Sequence, residues 1–125
     1  MIDHTGVQVG DFKRSVEFYK AALAPLGYEL IMTFEGTAAG FGAGGKPDFW
    51  LDGSKKAPTD HIHIAFRAKS RTEVRAFYEA ALAAGGTDNG APGTRPHYHQ
   101  DYYGAFVRDP DGHNIEAVCH EAYLG

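Results

Sequence analysis

The chain contains one segment twice. His4 to Gly27 reads HTGVQVGDFKRSVEFYKAALAPLG and His63 to Gly86 reads HIAFRAKSRTEVRAFYEAALAAGG, and the two align without a gap at a constant separation of 59. This places Phe18 on Phe77, Tyr19 on Tyr78, Ala22 on Ala81, Leu23 on Leu82 and Gly27 on Gly86. A duplicated unit of this size cannot bury an apolar face alone, so two copies must build a common core. At 125 residues and 43% hydrophobic content, the chain can form one such domain and is too short for two independent ones. We therefore expect a single domain over residues 1–125, with module 1 at about 1–54, a polar linker with a proline at 55–59, and module 2 at about 60–121.

Local patterns give each module the same content. Residues 2–9 alternate as a strand, with His4 on the more polar side; Gly10 breaks it and Asp11 is a suitable helix N-cap. Phe12, Val16, Tyr19 and Leu23 then mark an amphipathic helix that Pro25 and Gly27 end. Three short strands follow, over YELIMTFE, AAGFGA and DFWLD. In HIHIAFRA the alternation puts His61, His63, Ala65 and Arg67 opposite Ile62, Ile64 and Phe66. Ser70 and Glu73 form a capping-box pattern ahead of Val74, Phe77, Tyr78, Ala81 and Leu82, and Gly85 and Gly86 stop that helix. A long Gly/Pro/Asn segment then runs to about Tyr98, followed by a strand GAFVRD, the turn Asp109–Gly112 and a last strand HNIEAVCH. The expected class is α+β: two tandem βαβββ modules forming a cup-shaped mixed sheet with the helices on its outer face.

Two helices cannot cover both faces of such a sheet, so one face is left for a ligand. Alternation that turns Val7, Val9, Ile64, Phe66, Ile115, Ala117 and Cys119 toward the helices turns His4, His63, Asn114 and Glu116 to the inner face. Matching the last strands of the two modules pairs Phe49 with Ile115 and Trp50 with Glu116. A single strand histidine is more often a satisfied polar residue than a ligand. Two repeat-related histidines and one inward glutamate form a stronger pattern, because an unpaired carboxylate in that row is costly. Two His and one Glu suit an octahedral divalent ion with positions open for substrate, so His4, His63 and Glu116 are the candidate metal ligands, for one ion of Fe, Mn, Ni, Co or Zn per chain.

The remaining bounds concern partners. A formal net charge of −4, with no basic run, gives no electrostatic basis for nucleic acid or an anionic membrane as partner. There is no run of eighteen apolar residues and no apolar run of signal-peptide length, and the lone Cys119 suits a reducing compartment; the expectation is a soluble cytoplasmic protein.

HTGVQVGDFKRSVEFYKAAL, then HIHIAF, then FVRDPDGHNIEAV resemble the vicinal oxygen chelate superfamily, the glyoxalase, bleomycin-resistance and extradiol-dioxygenase group, over nearly the whole chain. The resemblance implies metal ligands from the first and last strands of each module, which are His4, position 50, His63 and Glu116 here. Position 50 departs from that pattern, since glyoxalase I carries a glutamate where Trp50 stands. It also implies a small substrate that chelates the metal through neighbouring oxygens. The expected activity is a glyoxalase-like lyase or isomerase, or a dioxygenase; the alternatives are a non-catalytic drug-binding protein of the bleomycin-resistance type and a thiol transferase of the fosfomycin-resistance type. Because an indole cannot act as a base, acid and base work beyond Glu116 falls to Tyr103 and His99, with Trp50, His61, Arg95 and Tyr102 as substrate-binding candidates. His113, in a tight turn, is expected to be solvated. The resemblance and the small module size together point to a homodimer.

Overall fold

A computed structural model describes residues 1–34 and 36–122. Module 1 consists of β1 (Thr5–Gln8), α1 (Phe12–Leu23), a 3-10 turn at Ala24–Leu26, β2 (Glu29–Phe34), β3 (Ala38–Gly42) and β4 (Phe49–Asp52). Module 2 consists of β5 (His63–Arg67), α2 (Arg71–Ala83), β6 (Thr87–Thr94), β7 (Tyr103–Arg108) and β8 (Asn114–Cys119). The expected α+β architecture is what forms: two four-stranded mixed sheets, ordered β1-β4-β3-β2 and β5-β8-β7-β6. Glu35, the last residue of the expected YELIMTFE strand, lies outside the described residues.

The duplication extends to the hydrogen-bond register. Gly6 pairs with Trp50 in the parallel β1–β4 ladder, and their repeat equivalents Ala65 and Glu116 pair in β5–β8. Gly40 pairs with Trp50 as Phe106 pairs with Glu116. Even the irregularity is copied: β2 slips register between Leu30 and Met32, and β6 slips between Asp88 and Gly90. A bulge turns a strand's side chains by one position, which explains why Met32 and Phe34, rather than Leu30, reach the inner face.

The third strand that the βαβββ pattern requires in module 2 comes from the Gly/Pro/Asn segment, whose composition marks no strand: Thr87–Thr94 is the longest strand of the described residues, antiparallel to β7. Its low β-propensity is overridden by the paired neighbour, and its second register shift begins at Gly90, whose φ of 149° L side chains rarely adopt.

The helices form where their caps dictate. Asp11 accepts the Arg14 N–H at 3.1 Å and Ser70 accepts the Glu73 N–H at 3.2 Å. The Glu73 carboxylate takes the N–H of Lys69, one residue before the expected partner in a capping box. Gly27 (φ 85°) and Gly85 (φ 102°) supply the left-handed residues after α1 and α2. Both helices lie on one side of the sheets, and Phe18, Tyr19, Leu23, Phe41, Phe49, Phe77 and Ile115 join one core across the modules.

The seam between modules is polar as well as apolar. Phe66 of module 2 meets Phe49 edge-on at 5.0 Å and Tyr28 at 5.5 Å. Burial pushes the Tyr28 phenol up to about 12, helped by its hydrogen bond to Asp48. The Asp109–Gly112 turn reaches across to module 1: Tyr19 donates to Asp109, and Gly10 N–H donates to Asp111 at 3.0 Å. His113, expected in solvent, is 2% exposed. Its Nδ1 accepts the Ile62 N–H, which leaves the proton on Nε2 to be donated to the Gln8 carbonyl at 2.8 Å. Parity could not reveal this, because the turn places the ring rather than a strand.

Candidate metal half-site on the inner face of module 2

Glu116 is 2% exposed, on the inner face of β8. Gly104 on β7 makes room for its carboxylate: a Cβ there would stand 3.0 Å from Oε2 and 3.2 Å from the Tyr102 ring. The two carboxylate oxygens have different partners. Oε2 receives the Tyr102 hydroxyl, whereas Oε1 stands 3.1 Å from Nε2 of His63, whose side chain is 48% exposed. The other ring nitrogen, Nδ1, is 2.9 Å from the Asn114 carbonyl. A carbonyl only accepts, so Nδ1 carries a proton, and Nε2 faces a carboxylate oxygen with either an N–H or the lone pair that a cation would take. Two acceptors that close require a proton or a cation between them, which is the donor chemistry a divalent ion needs. Tyr102 does not release a proton to fill that gap: burial, then the bond to Glu116, hold its phenol far above the ordinary range, so it keeps its proton and donates to Oε2.

His120 joins this site although the sequence reasoning missed it. It follows Asn114, Glu116 and Val118 at period 2, the signal that could have found it. Its Nδ1 lies 2.6 Å from Nε2 of His99, the rings stack at 4.8 Å, and Tyr102 sits edge-on to both. Phe106, the register partner of Glu116, was also missed; its ring lies 6.2 Å from that of His63 and beneath the Arg95 guanidinium at 5.6 Å.

Other candidates stand elsewhere. Tyr103 pairs with Cys119 on the helix side, where Arg75 donates to its hydroxyl and Arg71 lies over its ring, so it faces away from Glu116. His61 precedes β5, beyond the alternation assumed for it, and packs edge-on against His113. His4 is exposed just before β1, where Asp3 takes its Nδ1 at 2.8 Å and Lys46 pairs with Asp3 at 3.0 Å. These two partners, His4 first, hold the Asp3 carboxyl below the usual carboxylate range. His4 and Trp50 line one cleft of about 630 Å³, and neither His63 nor Glu116 borders it. Trp50 lies flat over Gly40, where a Cβ would come 2.9 Å from the indole, and stacks on Phe34 at 6.3 Å. Among the described residues, no three His, Cys, Asp or Glu side chains gather closely enough to hold an ion within one chain.

Comparison with known proteins defines the class. The model of the Glyoxalase/Bleomycin resistance protein/Dioxygenase superfamily matches residues 1–117. The chain belongs to that superfamily, as its motifs led us to expect. Among solved structures it is similar to a glyoxalase/bleomycin resistance protein from Albidiferax ferrireducens T118, with 30% identity, 95% of this chain and 98% of that one covered, and a TM-score of 0.80. A glyoxalase-related enzyme from Fulvimarina pelagi has 20% identity, covers 95% and 87%, and gives 0.72. A lactoylglutathione lyase from Agrobacterium tumefaciens has 17% identity, covers 95% and 92%, and also gives 0.72. At these lower identities the likeness is one of fold. No curated protein matches the chain. No helix of the described residues is long and apolar enough to cross a membrane.

Proposed function

We propose that the protein is a metal-dependent enzyme of this superfamily, a glyoxalase-like lyase or isomerase or a dioxygenase, acting on a small substrate that chelates the ion through neighbouring oxygens. The observation that carries this reading is the buried Glu116 carboxylate set 3.1 Å from His63 Nε2, with the imidazole tautomer fixed by Asn114. His63 and Glu116 would hold the ion from one chain. His4, remote from that pair in its own chain, would complete the ligand set from a second copy, so the active form is a homodimer with composite sites. When bound, the ion acts as a Lewis acid on the chelated oxygens.

The chain's own residues do the rest. Tyr102 occupies Oε2 of Glu116 and so leaves Oε1 for the ion. His99 and His120, already sharing one hydrogen bond, form a pair able to take up a proton released above Tyr102. The Trp50 and Phe34 rings of the opposing module supply a flat apolar wall for the remainder of the substrate. Metal analysis of tag-free protein tests this reading. One divalent ion per chain, lost in both Glu116→Gln and His63→Ala, supports it, and a full complement in either variant would contradict it.

A further inference from the structure

Arg95 lies on the inner face of module 2 without a carboxylate beside it. Ion pairs of the described residues involve His4, Lys20, Lys46, His63 and Arg67, and none takes Arg95. Its side chain is nevertheless held in place. Nη1 donates to the Thr94 carbonyl at 3.2 Å and Nη2 to the Ala91 carbonyl at 2.9 Å, while the guanidinium plane covers the Phe106 ring. Two glycines shape its slot: a Cβ on Gly93 would meet Nη1 at 3.1 Å, and one on Gly90 would meet the Phe106 ring beneath it at 2.9 Å. A guanidinium has five N–H donors, so about three stay unused here. A half-buried, immobilised cation with spare donors and no counter-charge is built to receive an oxyanion, since a planar fork matches two oxygens at once.

Its position says which oxyanion. Phe106 separates Arg95 from His63, at 5.6 Å on one side and 6.2 Å on the other, and pairs in register with Glu116. Arg95 is also near enough to Tyr102 for its charge to act on that phenol. A ligand with one end at His63 and Glu116 therefore passes over Phe106 and brings its other end to Arg95.

We propose that the substrate carries a carboxylate or a phosphonate about one ring's width from its chelating oxygens, and that Arg95 is the residue that selects it. This rests on the metal-chelation reading for the chelating end only; the anion site depends on this chain's own residues. The test has two arms. In the first, metal-free protein is titrated with phenylacetate and with phenylphosphonate, which cannot chelate through neighbouring oxygens, and the Arg95 side-chain resonance is followed by nuclear magnetic resonance. In the second, Co(II)-loaded protein is titrated calorimetrically with 3,4-dihydroxyphenylacetate and its phosphonate counterpart, against neutral 4-methylcatechol.

Arg95→Gln keeps a polar side chain and removes both the charge and the two-nitrogen fork. It should weaken the anionic probes about 10- to 100-fold, the range for losing a charge-assisted bidentate contact, and leave 4-methylcatechol unchanged. The tighter of the two anions identifies the group. Equal affinity of the anionic probes for wild type and Arg95→Gln in either arm, or no response of the Arg95 resonance, would overturn the proposal. If Co(II) fails to bind while the first arm still depends on Arg95, the chelation reading falls and the anion site stands.

Discussion

The inner faces of the two modules start from one backbone and end with opposite chemistry. At the central position of the last strand, module 1 has Trp50 and module 2 has Glu116, and each pairs with a residue of the neighbouring antiparallel strand. In module 1 that neighbour is Gly40, whose missing side chain lets the indole lie flat, with exposed Phe34 stacked beside it. In module 2 the neighbour is Phe106, and the space comes from Gly104 instead, so that a carboxylate can be buried beside Tyr102 and His63. The ladders and the β2 and β6 slips recur in both copies, so duplication preserved the frame while the side chains of the inner face took on different chemistry. One face is an apolar wall and the other a set of donors.

Removing the donor side should have the largest effect. Glu116→Gln keeps the shape and the Tyr102 bond but loses the charge, and divalent metal affinity measured by calorimetry should fall by more than about 100-fold. Trp50→Ala, the same position in the other module, should leave that affinity within about threefold. Equal losses at the two positions would erase the difference between the faces. Tyr102→Phe should have an intermediate effect, weakening the metal about 10- to 100-fold, because it frees Oε2 without touching a ligand.

The seam that aligns the two faces can be broken without altering either. His113→Ala removes a buried ring and takes a partner from the part-buried Ile62 N–H and Gln8 carbonyl, so the midpoint of urea unfolding should drop while the metal affinity of the folded fraction is retained. A smaller change should appear in alkali. The Tyr28 phenol is raised from its ordinary 10.0 to about 12 in the folded state, so its contribution is complete below pH 10 and is lost as pH rises toward 12. Tyr28→Phe should flatten that alkaline decline, as read from the unfolding midpoint across this pH range.

The frame and one of the two faces were legible in the sequence. Period-2 alternation, read through the repeat, placed His63 and Glu116 together and set Trp50 at the position equivalent to Glu116, and the ladders have those registers. What alternation could not foresee lies outside regular strands. His61 sits before β5, His113 is turned inward by the Asp109 turn, and β6 forms from glycine-rich sequence because β7 pairs with it. Tyr102 and Tyr103 are neighbours with opposite fates, since Tyr103 is the first residue of β7 and faces the helix, while Tyr102 precedes the strand and caps Glu116. His4 marks the limit most clearly. Its parity is right, yet it belongs to a different cleft of the same chain, and no intrachain pattern can say what a second copy would bring to it.

Mixing two inactive variants tests the composite site most directly. His4→Ala lacks one ligand and Glu116→Gln lacks another, and each homodimer should bind no stoichiometric metal. After the two are unfolded and refolded together, half of the dimers are mixed, and each mixed dimer has one site in which His4 from one chain meets His63 and Glu116 from the other. Metal analysis should then recover about a quarter of the wild-type complement. Recovery of none, with mixed dimers demonstrated by mass spectrometry, would contradict the account, because it would mean that no site is shared between chains.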